Sequence, residues 1–166
     1  VIGIYISMMQ AFSLNIGSGG LTLYPGLSAD ELYPTNNIAD ENDFYNNEIS
    51  VSNNLNGSSL WGNAYNILYD ANACLEGLTQ SNISDVVKNQ LIGEVKFIRG
   101  FMFFNLINIY GPVPLVISTD FHRNQILPRS SSDTVDAQII NDLKDARNVL
   151  SVNYSTPGRF RPNRFT

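Results

Sequence analysis

The chain has 166 residues, with ten Lys and Arg, fifteen Asp and Glu, one His and one Cys, and its net charge is −5. The single Cys and the single His exclude a disulfide framework, a cysteine-rich zinc site and a site with several His ligands. The charge is unevenly placed, since residues 1–87 contain nine acidic residues and no basic one. Binding to nucleic acid depends mostly on Lys and Arg at phosphates, so we predict no nucleic-acid partner.

The first third of the chain predicts one helix followed by a long loop. Residues 2–14 are apolar nearly all round and repeat at three- and four-residue spacing, which predicts a buried first helix. Pro25, Gly26 and Pro34 interrupt the polar residues that follow. We therefore expect an irregular loop over residues 15–57, and loops of this length are usually functional or disordered.

Three further helices are predicted downstream. The second covers residues 58–78, with Ser58 or Ser59 as its N-cap, and the third covers 84–110 and is rich in Phe. Gly111 and the prolines after it end the third helix. The fourth covers 133–150, where the serines before it supply the cap. The short connection between the second and third helices predicts an antiparallel hairpin, and the spacing of the helices is compatible with tetratricopeptide-like pairs.

Composition and aromatic residues suggest a sugar as the ligand. Only 15% of the residues are charged, whereas the chain has 21 Asn and 16 Ser, so neutral amides and hydroxyls cover much of its surface. These groups bond to sugar hydroxyls, although they also fill ordinary loops. Flat rings stack on the apolar faces of sugars, and the candidates in or beside the long loop are Tyr24, Tyr33, Tyr45 and Trp61. For Trp61, which shares a helical face with Tyr65, core packing is the default interpretation and ligand contact the alternative.

Catalytic and metal-binding chemistry have weaker support. Cys74 lies within a helical pattern and His122 in a loop, so we expect no Cys–His catalytic pair. Asp40, Glu41 and Asp43 offer paired carboxylates for a glycosidase or oxygen ligands for Ca²⁺, but the EF-hand spacing is missing and a solvated acidic loop is favoured. We predict a protein that is not an enzyme and holds neither a metal nor a cofactor.

Four segments, in order along the chain, resemble motifs of the SusD/RagB family. They read LWGNAYNILYDAN at 60–72, GEVKFIRGF at 93–101, YGPVPLV at 110–116, and RS followed by a helix with Ile, Asp-Leu and Ala at 129–146. Val95 and Gly100 depart from the pattern, since the family usually has Ala at both positions. These departures change how helices pack and leave the resemblance intact.

The resemblance implies a mainly α fold, built from tetratricopeptide-like hairpins with long irregular loops. Structural roles in helix contacts and a fixed turn are implied for Glu94, Lys96, Arg99, Gly111 and Pro114. Glu94 and Arg99 lie on different sides of their helix, so we expect them to pair with other elements. Family members are much longer. We therefore expect residues 1–166, which begin without Met, to be the N-terminal part of a SusD-like domain.

The function implied by the resemblance is nutrient binding without catalysis. Such proteins are lipoproteins on the outward face of the outer membrane of Bacteroidetes. They bind an oligosaccharide or another nutrient and pass it to a SusC-like TonB-dependent transporter. Membrane attachment would be through a lipid anchor that is absent from this chain.

The alternative is a helical protein–protein scaffold that contacts the transporter, with the ligand site in the missing C-terminal part. The absence of cations from the loop favours neutral sugars.

Overall fold

A computed structural model describes residues 1–9, 14–156 and 161–165. Within these ranges the protein has seven α-helices, one π-helix and a two-stranded sheet, which confirms the predicted α class. None of the described helices is both long and apolar enough to cross a membrane. The elements in order are α1 (Ile2–Met8), α2 (Gly20–Ser28), α3 (Ala39–Tyr45), the π-helix (Leu55–Gly62), α4 (Asn63–Gln80), α5 (Asp85–Tyr110), β1 (Val113–Pro114), α6 (Phe121–Asn124), β2 (Arg129–Ser130) and α7 (Ser132–Val149).

The chain divides into two compact units. The first-half unit comprises Ile2–Asn66, and the second-half unit comprises Ile67–Thr166 together with Val1. The boundary falls within α4, four residues after that helix begins. The candidate aromatic residues therefore all lie in the first-half unit, whereas the motif residues of the third and fourth helices lie in the second-half unit.

Helix α1 is shorter and more exposed than the predicted first helix. It ends at Met8, and residues 10–13 of the predicted helix lie outside the described residues. Ile4 is buried, but Ile2 and Ile6 are exposed. The prediction of a buried helix is wrong because a helix that is apolar all round still buries only the side that packs against other elements.

The segment predicted as an irregular loop, residues 15–57, contains two helices and the start of a third. Helix α2 runs through Pro25 and Gly26, which were expected to prevent it. Proline removes one hydrogen bond, the one that its N–H would donate to the carbonyl four residues earlier. Tyr24 and Leu27 are buried in the same helix, so packing of apolar side chains offsets this loss.

The predicted second helix begins earlier than expected and in a different geometry. A π-helix forms over Leu55–Gly62, and α4 continues from it to Gln80. Ser58 and Ser59 therefore lie inside the π-helix, and the prediction that one of them is an N-cap is wrong. The spacing of apolar residues indicates which face of a helix is buried. It does not indicate the backbone hydrogen-bond pattern, so it does not distinguish an α-helix from a π-helix.

Helices α5 and α7 pack closely in the second-half unit, and both match their predicted bounds to within a residue. Two glycines of α5 lie against α7. A Cβ placed on Gly93 would lie 2.8 Å from Cγ2 of Val149, and one on Gly100 would lie 3.2 Å from Cδ2 of Leu143. The absence of side chains at these positions lets the two helices approach.

The end of α5 forms the turn that the sequence predicts. Gly111 follows the helix with φ of 66°, a conformation that disfavours other residues. Burial raises the pKa of Tyr110, just before this turn, to about 12. The extended segment after it contains β1, which pairs antiparallel with β2 so that Val113 faces Ser130. These strands were not predicted because two residues are too few to show alternation.

Substitution of Gly93 by Ala should destabilise the protein by about 1–3 kcal/mol, because the new methyl group overlaps Val149 and Leu150 at the end of α7. Urea denaturation followed by circular dichroism measures the change. Gly77→Ala in α4 is the matched control, since a Cβ there meets no atom within 4 Å. The control should stabilise the helix by up to about 1 kcal/mol. Equal effects of the two substitutions would contradict the close approach of α5 and α7.

Candidate functional site

Helices α2 and α3 pack together through one aromatic pair. The rings of Tyr24 and Phe44 stack with centroids 5.1 Å apart, and the Ser28 hydroxyl donates a hydrogen bond of 2.9 Å to the Phe44 carbonyl. Tyr24 is only 2% exposed, and burial, with a smaller contribution from Glu41, raises the pKa of its hydroxyl. A ring this deeply buried cannot stack on a sugar. Tyr24, predicted as a ligand contact, therefore serves as a packing residue in this structure.

The acidic residues of α3 fix the start of the π-helix. The amide nitrogen of Asn53 donates to the Asp40 carbonyl at 2.9 Å and to Asp43 Oδ2 at 3.0 Å. The amide oxygen of Asn53 accepts the backbone N–H of Asn56 at 2.9 Å, and the backbone N–H of Asn54 donates to Asp40 Oδ2. Asn53 is buried, so its amide connects α3 firmly to the π-helix.

The π-helix and the first turn of α4 carry a pair of half-exposed rings. The centroids of Trp61 and Tyr65 lie 4.9 Å apart with their planes tilted by 39°, as expected for residues four apart on a helix. Leu60, between the two ends of the π-helix, is buried and anchors this segment. Both rings keep part of their surface exposed. Such π-helical segments are rare and occur frequently at functional sites.

Two further candidates are more exposed than Trp61. Tyr33, between α2 and α3, is 75% exposed, and Tyr45, at the end of α3, is 39% exposed. Residues 2–66 contain six carboxylates and no Lys or Arg. The exposed rings of the first-half unit therefore lie on a surface of neutral amides, hydroxyls and carboxylates, which suits sugar hydroxyls better than anionic groups.

The carboxylates of Asp40 and Asp43 both accept hydrogen bonds from residues just before the π-helix. Hydrogen bonds from Asn53, and then from Ser50, lower the pKa of Asp43, which keeps it ionised. Within the described ranges, no group of three or more His, Cys, Asp or Glu side chains could hold a metal ion. The Ca²⁺ alternative thus receives no support from the described residues.

The motif residues of the second-half unit form contacts between elements. The Arg99 guanidinium donates to both carboxylate oxygens of Asp142, at 2.8 and 2.7 Å, and to Asn72 Oδ1 at 2.9 Å. Asn72 in turn donates to the Val116 carbonyl at 3.0 Å, which connects α4 with the segment after β1. Lys96 forms a more exposed ion pair with Asp145 of α7.

Glu94 forms a second buried ion pair with a different partner. Its carboxylate is fully buried and accepts hydrogen bonds from Arg161, with a closest distance of 2.7 Å, and from the Gln90 amide at 2.8 Å. Glu94 and Arg99 therefore contact different elements. Gly111 forms the turn after α5, and Pro114 lies in β1.

The fold and the accessible rings define a helical, tetratricopeptide-like protein with a candidate binding surface. Comparison with known proteins identifies the class more closely. The family pattern described as SusD-like, starch-binding and associating with the outer membrane matches residues 26–166. The chain belongs to this SusD-like family.

Individual relatives agree with this assignment. SusD-like protein P25 of Formosa agariphila is 27% identical over 174 residues, which cover 99% of this chain and 32% of that protein. A laminarin-binding SusD-like protein superposes with a TM-score of 0.82 at 21% identity, over 98% of this chain and 35% of that one. Surface glycan-binding protein A of Bacteroides fluxus superposes with a TM-score of 0.75 at 19% identity, over 99% and 36%. The two structures show the fold, and the chain spans about a third of each relative.

Sequence reasoning overlooked the residue that organises the candidate surface. Asn53 looked like one of many loop asparagines, but its buried amide joins α3 to the π-helix. The available signal was its place between the acidic residues of α3 and the helix that carries Trp61. That signal is weak, because burial of a single amide depends on how the intervening turn folds.

Proposed function

We propose that this chain is part of a non-catalytic glycan-binding protein at the outward face of the outer membrane. Membership of a family described as starch-binding and associating with the outer membrane supports this function. The observation that carries the proposal within the chain is the half-exposed Trp61–Tyr65 pair in the π-helical segment. Ligand recognition is by stacking on rings and by hydrogen bonds, without covalent chemistry.

The ligand contacts of the chain are the rings of the first-half unit that are at least partly exposed. Trp61 supplies the principal stacking surface, and Tyr33 and Tyr45 supply exposed rings elsewhere in the unit. The first-half unit contains carboxylates and amides but no Lys or Arg. The preferred ligand is therefore a neutral oligosaccharide, because a sulfated or uronic acid chain would meet only negative charge here.

The whole protein delivers its ligand to a SusC-like TonB-dependent transporter and is held at the membrane by a lipid anchor. These two features come from the family resemblance, and the expected support is co-purification of a large outer-membrane barrel with the membrane-bound protein. The same experiment tests the alternative function, a scaffold whose ligand site lies outside these residues. Under that alternative, the barrel co-purifies but the 166-residue chain binds no glycan.

Trp61→Ala is expected to weaken oligosaccharide binding at least about tenfold, since a loss of stacking near 1.4 kcal/mol corresponds to that factor. Isothermal titration calorimetry with laminarin and maltose oligosaccharides measures the affinity, and a sulfated oligosaccharide of similar length should bind more weakly than both. Laminarin is chosen because one structural relative is described as binding it, and maltose oligosaccharides because the family is described as starch-binding.

Phe121→Ala is the matched control for this experiment. Phe121 is an exposed aromatic residue of α6 in the second-half unit, so its loss should leave oligosaccharide affinity unchanged. Tyr33→Ala should weaken binding less than Trp61→Ala, because Tyr33 has no ring partner to hold its orientation among the described aromatic pairs. Binding that survives both substitutions in the first-half unit would rule out a site there.

A further inference from the structure

The π-helix that carries Trp61 is weakly supported by its own sequence. Gly57, Ser58 and Ser59 follow one another within it, and glycine and serine form helices less readily than alanine does. A Cβ placed on Gly57 would meet no atom within 4 Å, so this turn has open space beside it. The position of the π-helix therefore depends on the contacts that its two ends make with the rest of the first-half unit.

Asn53 provides the contact at the N-terminal end. Its amide oxygen accepts the backbone N–H of Asn56 at 2.9 Å, as an N-cap side chain does for the third residue after it. Its backbone carbonyl accepts the N–H of Gly57 at 3.0 Å. Its amide nitrogen donates to the Asp40 carbonyl and to the Asp43 carboxylate. One residue thus caps the π-helix and joins it to α3.

Helix α3 is a firm support for this contact, because the core of the first-half unit fixes its position. Phe44 is 5% exposed and stacks on Tyr24 of α2. Near the other end of the π-helix, Leu60 is 1% exposed, and Trp61 follows it directly. Two contacts therefore place the Trp61 ring, an apolar one at Leu60 and a polar one at Asn53.

We propose that Asn53 is a positioning residue for the Trp61 stacking surface. By capping the π-helix and joining it to α3, the buried amide holds the ring half-exposed before a ligand arrives, so less conformational freedom is lost on binding. Asn53 is only 2% exposed and is too deeply buried to contact a ligand. The expected effect on sugar affinity rests on the proposed function, whereas the expected effect on the position of Trp61 does not.

Fluorescence tests the proposal directly, because Trp61 is the only Trp of the chain. Asn53→Asp removes both donations to α3 and sets a second carboxylate against Asp43. At neutral pH the emission of Trp61 should shift to longer wavelength, and its quenching by acrylamide should increase, because the loosened ring meets more water. Affinity for the laminarin and maltose oligosaccharides should fall about fivefold or more.

Asn47→Asp is the matched control, since it makes the same chemical change in the same unit. The Asn47 amide also donates to a backbone carbonyl, that of Ser28 in α2. Its loss should leave the emission of Trp61 and the sugar affinity unchanged.

Two further variants separate positioning from a general loss of stability, and circular dichroism shows which variants are folded. Adding Asp43→Asn to Asn53→Asp puts the amide on α3 and the carboxylate before the π-helix. The hydrogen bond between them is then restored in the opposite direction, and part of the original emission should return. Asn53→Ser keeps an acceptor for Asn56 but is too short to reach α3, so it should shift the emission as Asn53→Asp does.

Unchanged emission and quenching in whichever single variant of Asn53 folds would overturn the proposal. A double variant no closer to the original protein than Asn53→Asp would do the same. Loss of folding in all three variants would show that Asn53 supports the whole unit rather than the ring, and would also overturn it. The expected shift and its recovery, in a chain that binds no oligosaccharide even before substitution, would support the positioning role and refute the sugar site.

Discussion

Replacing Asp142 by Ala is expected to lower the free energy of unfolding by about 3–5 kcal/mol, the largest effect we foresee for one substitution. The reason is the buried position of the Arg99 guanidinium, which would lose both hydrogen bonds to its carboxylate partner. Arg99 cannot be neutralised by losing a proton, so its charge would remain buried. Urea denaturation followed by circular dichroism measures the loss.

The effect should spread beyond α5 and α7. Arg99 also donates a hydrogen bond to Asn72 of α4, and Asn72 donates one to the Val116 carbonyl after β1. Loss of Asp142 therefore loosens three other elements at once, and hydrogen exchange at the Asn72 and Val116 backbone should increase.

Asp145→Ala is the matched control for the buried pair. Asp145 belongs to the same helix and pairs with Lys96, but it is mostly exposed, so its loss should cost less than about 1 kcal/mol. The double substitution Arg99→Met with Asp142→Leu should recover part of the stability, because apolar side chains of similar size need no partner, whereas buried Asn72 still loses its bond from Arg99. Similar costs for Asp142→Ala and Asp145→Ala would show that the buried pair has no special role.

Replacing Arg161 by Met should also destabilise the protein by about 3–5 kcal/mol. Glu94 is fully buried, and its carboxylate would lose its cationic partner Arg161. Glu94→Gln should cost less, because the guanidinium of Arg161 is partly exposed and would regain water. The order of these two effects follows from which partner is more deeply buried.

Two comparisons test this second prediction by the same denaturation measurement. Arg164→Met is the control, since the Arg164 side chain donates to the Leu150 carbonyl and forms no ion pair with a described residue, so its loss should cost about 1 kcal/mol. Adding Glu94→Gln to Arg161→Met should restore part of the lost stability. If Arg161→Met and Arg164→Met have equal effects, the ion pair does not hold residues 161–165 against α5.

The helices with a clear apolar stripe and a clear end were predictable from the sequence. Helix α5 ends at Tyr110 because Gly111 and the prolines after it act locally, within a few residues. Helices α2 and α3 were not predicted, because the local sequence favours an irregular loop. Pro25 disfavours a helix, but burial of Tyr24 and Leu27, together with stacking of Tyr24 on Phe44 twenty residues away, offsets that cost.

The candidate site also combines one feature that the sequence predicts with one that only the packing of helices decides. The pairing of Trp61 with Tyr65 follows from their four-residue spacing and was predictable. The burial of Tyr24 was not predictable, because a Tyr in a polar segment gives the same sequence pattern whether its ring is exposed or buried. Only the packing of α2 on α3 decides that Tyr24 is a core residue, while Tyr33 remains exposed.

The sequence by itself determined the class of protein, its helical character, the residues of its motifs and the absence of cations from its first 87 residues. These properties depend on composition, short spacings and order along the chain. The tertiary structure alone decided which carboxylates Arg99 and Arg161 bind, that residues 15–57 contain two helices, and which rings remain accessible. The physical reason is that burial and ion pairing join residues far apart in the chain, such as Arg99 with Asp142 and Glu94 with Arg161, and no local pattern specifies such partners.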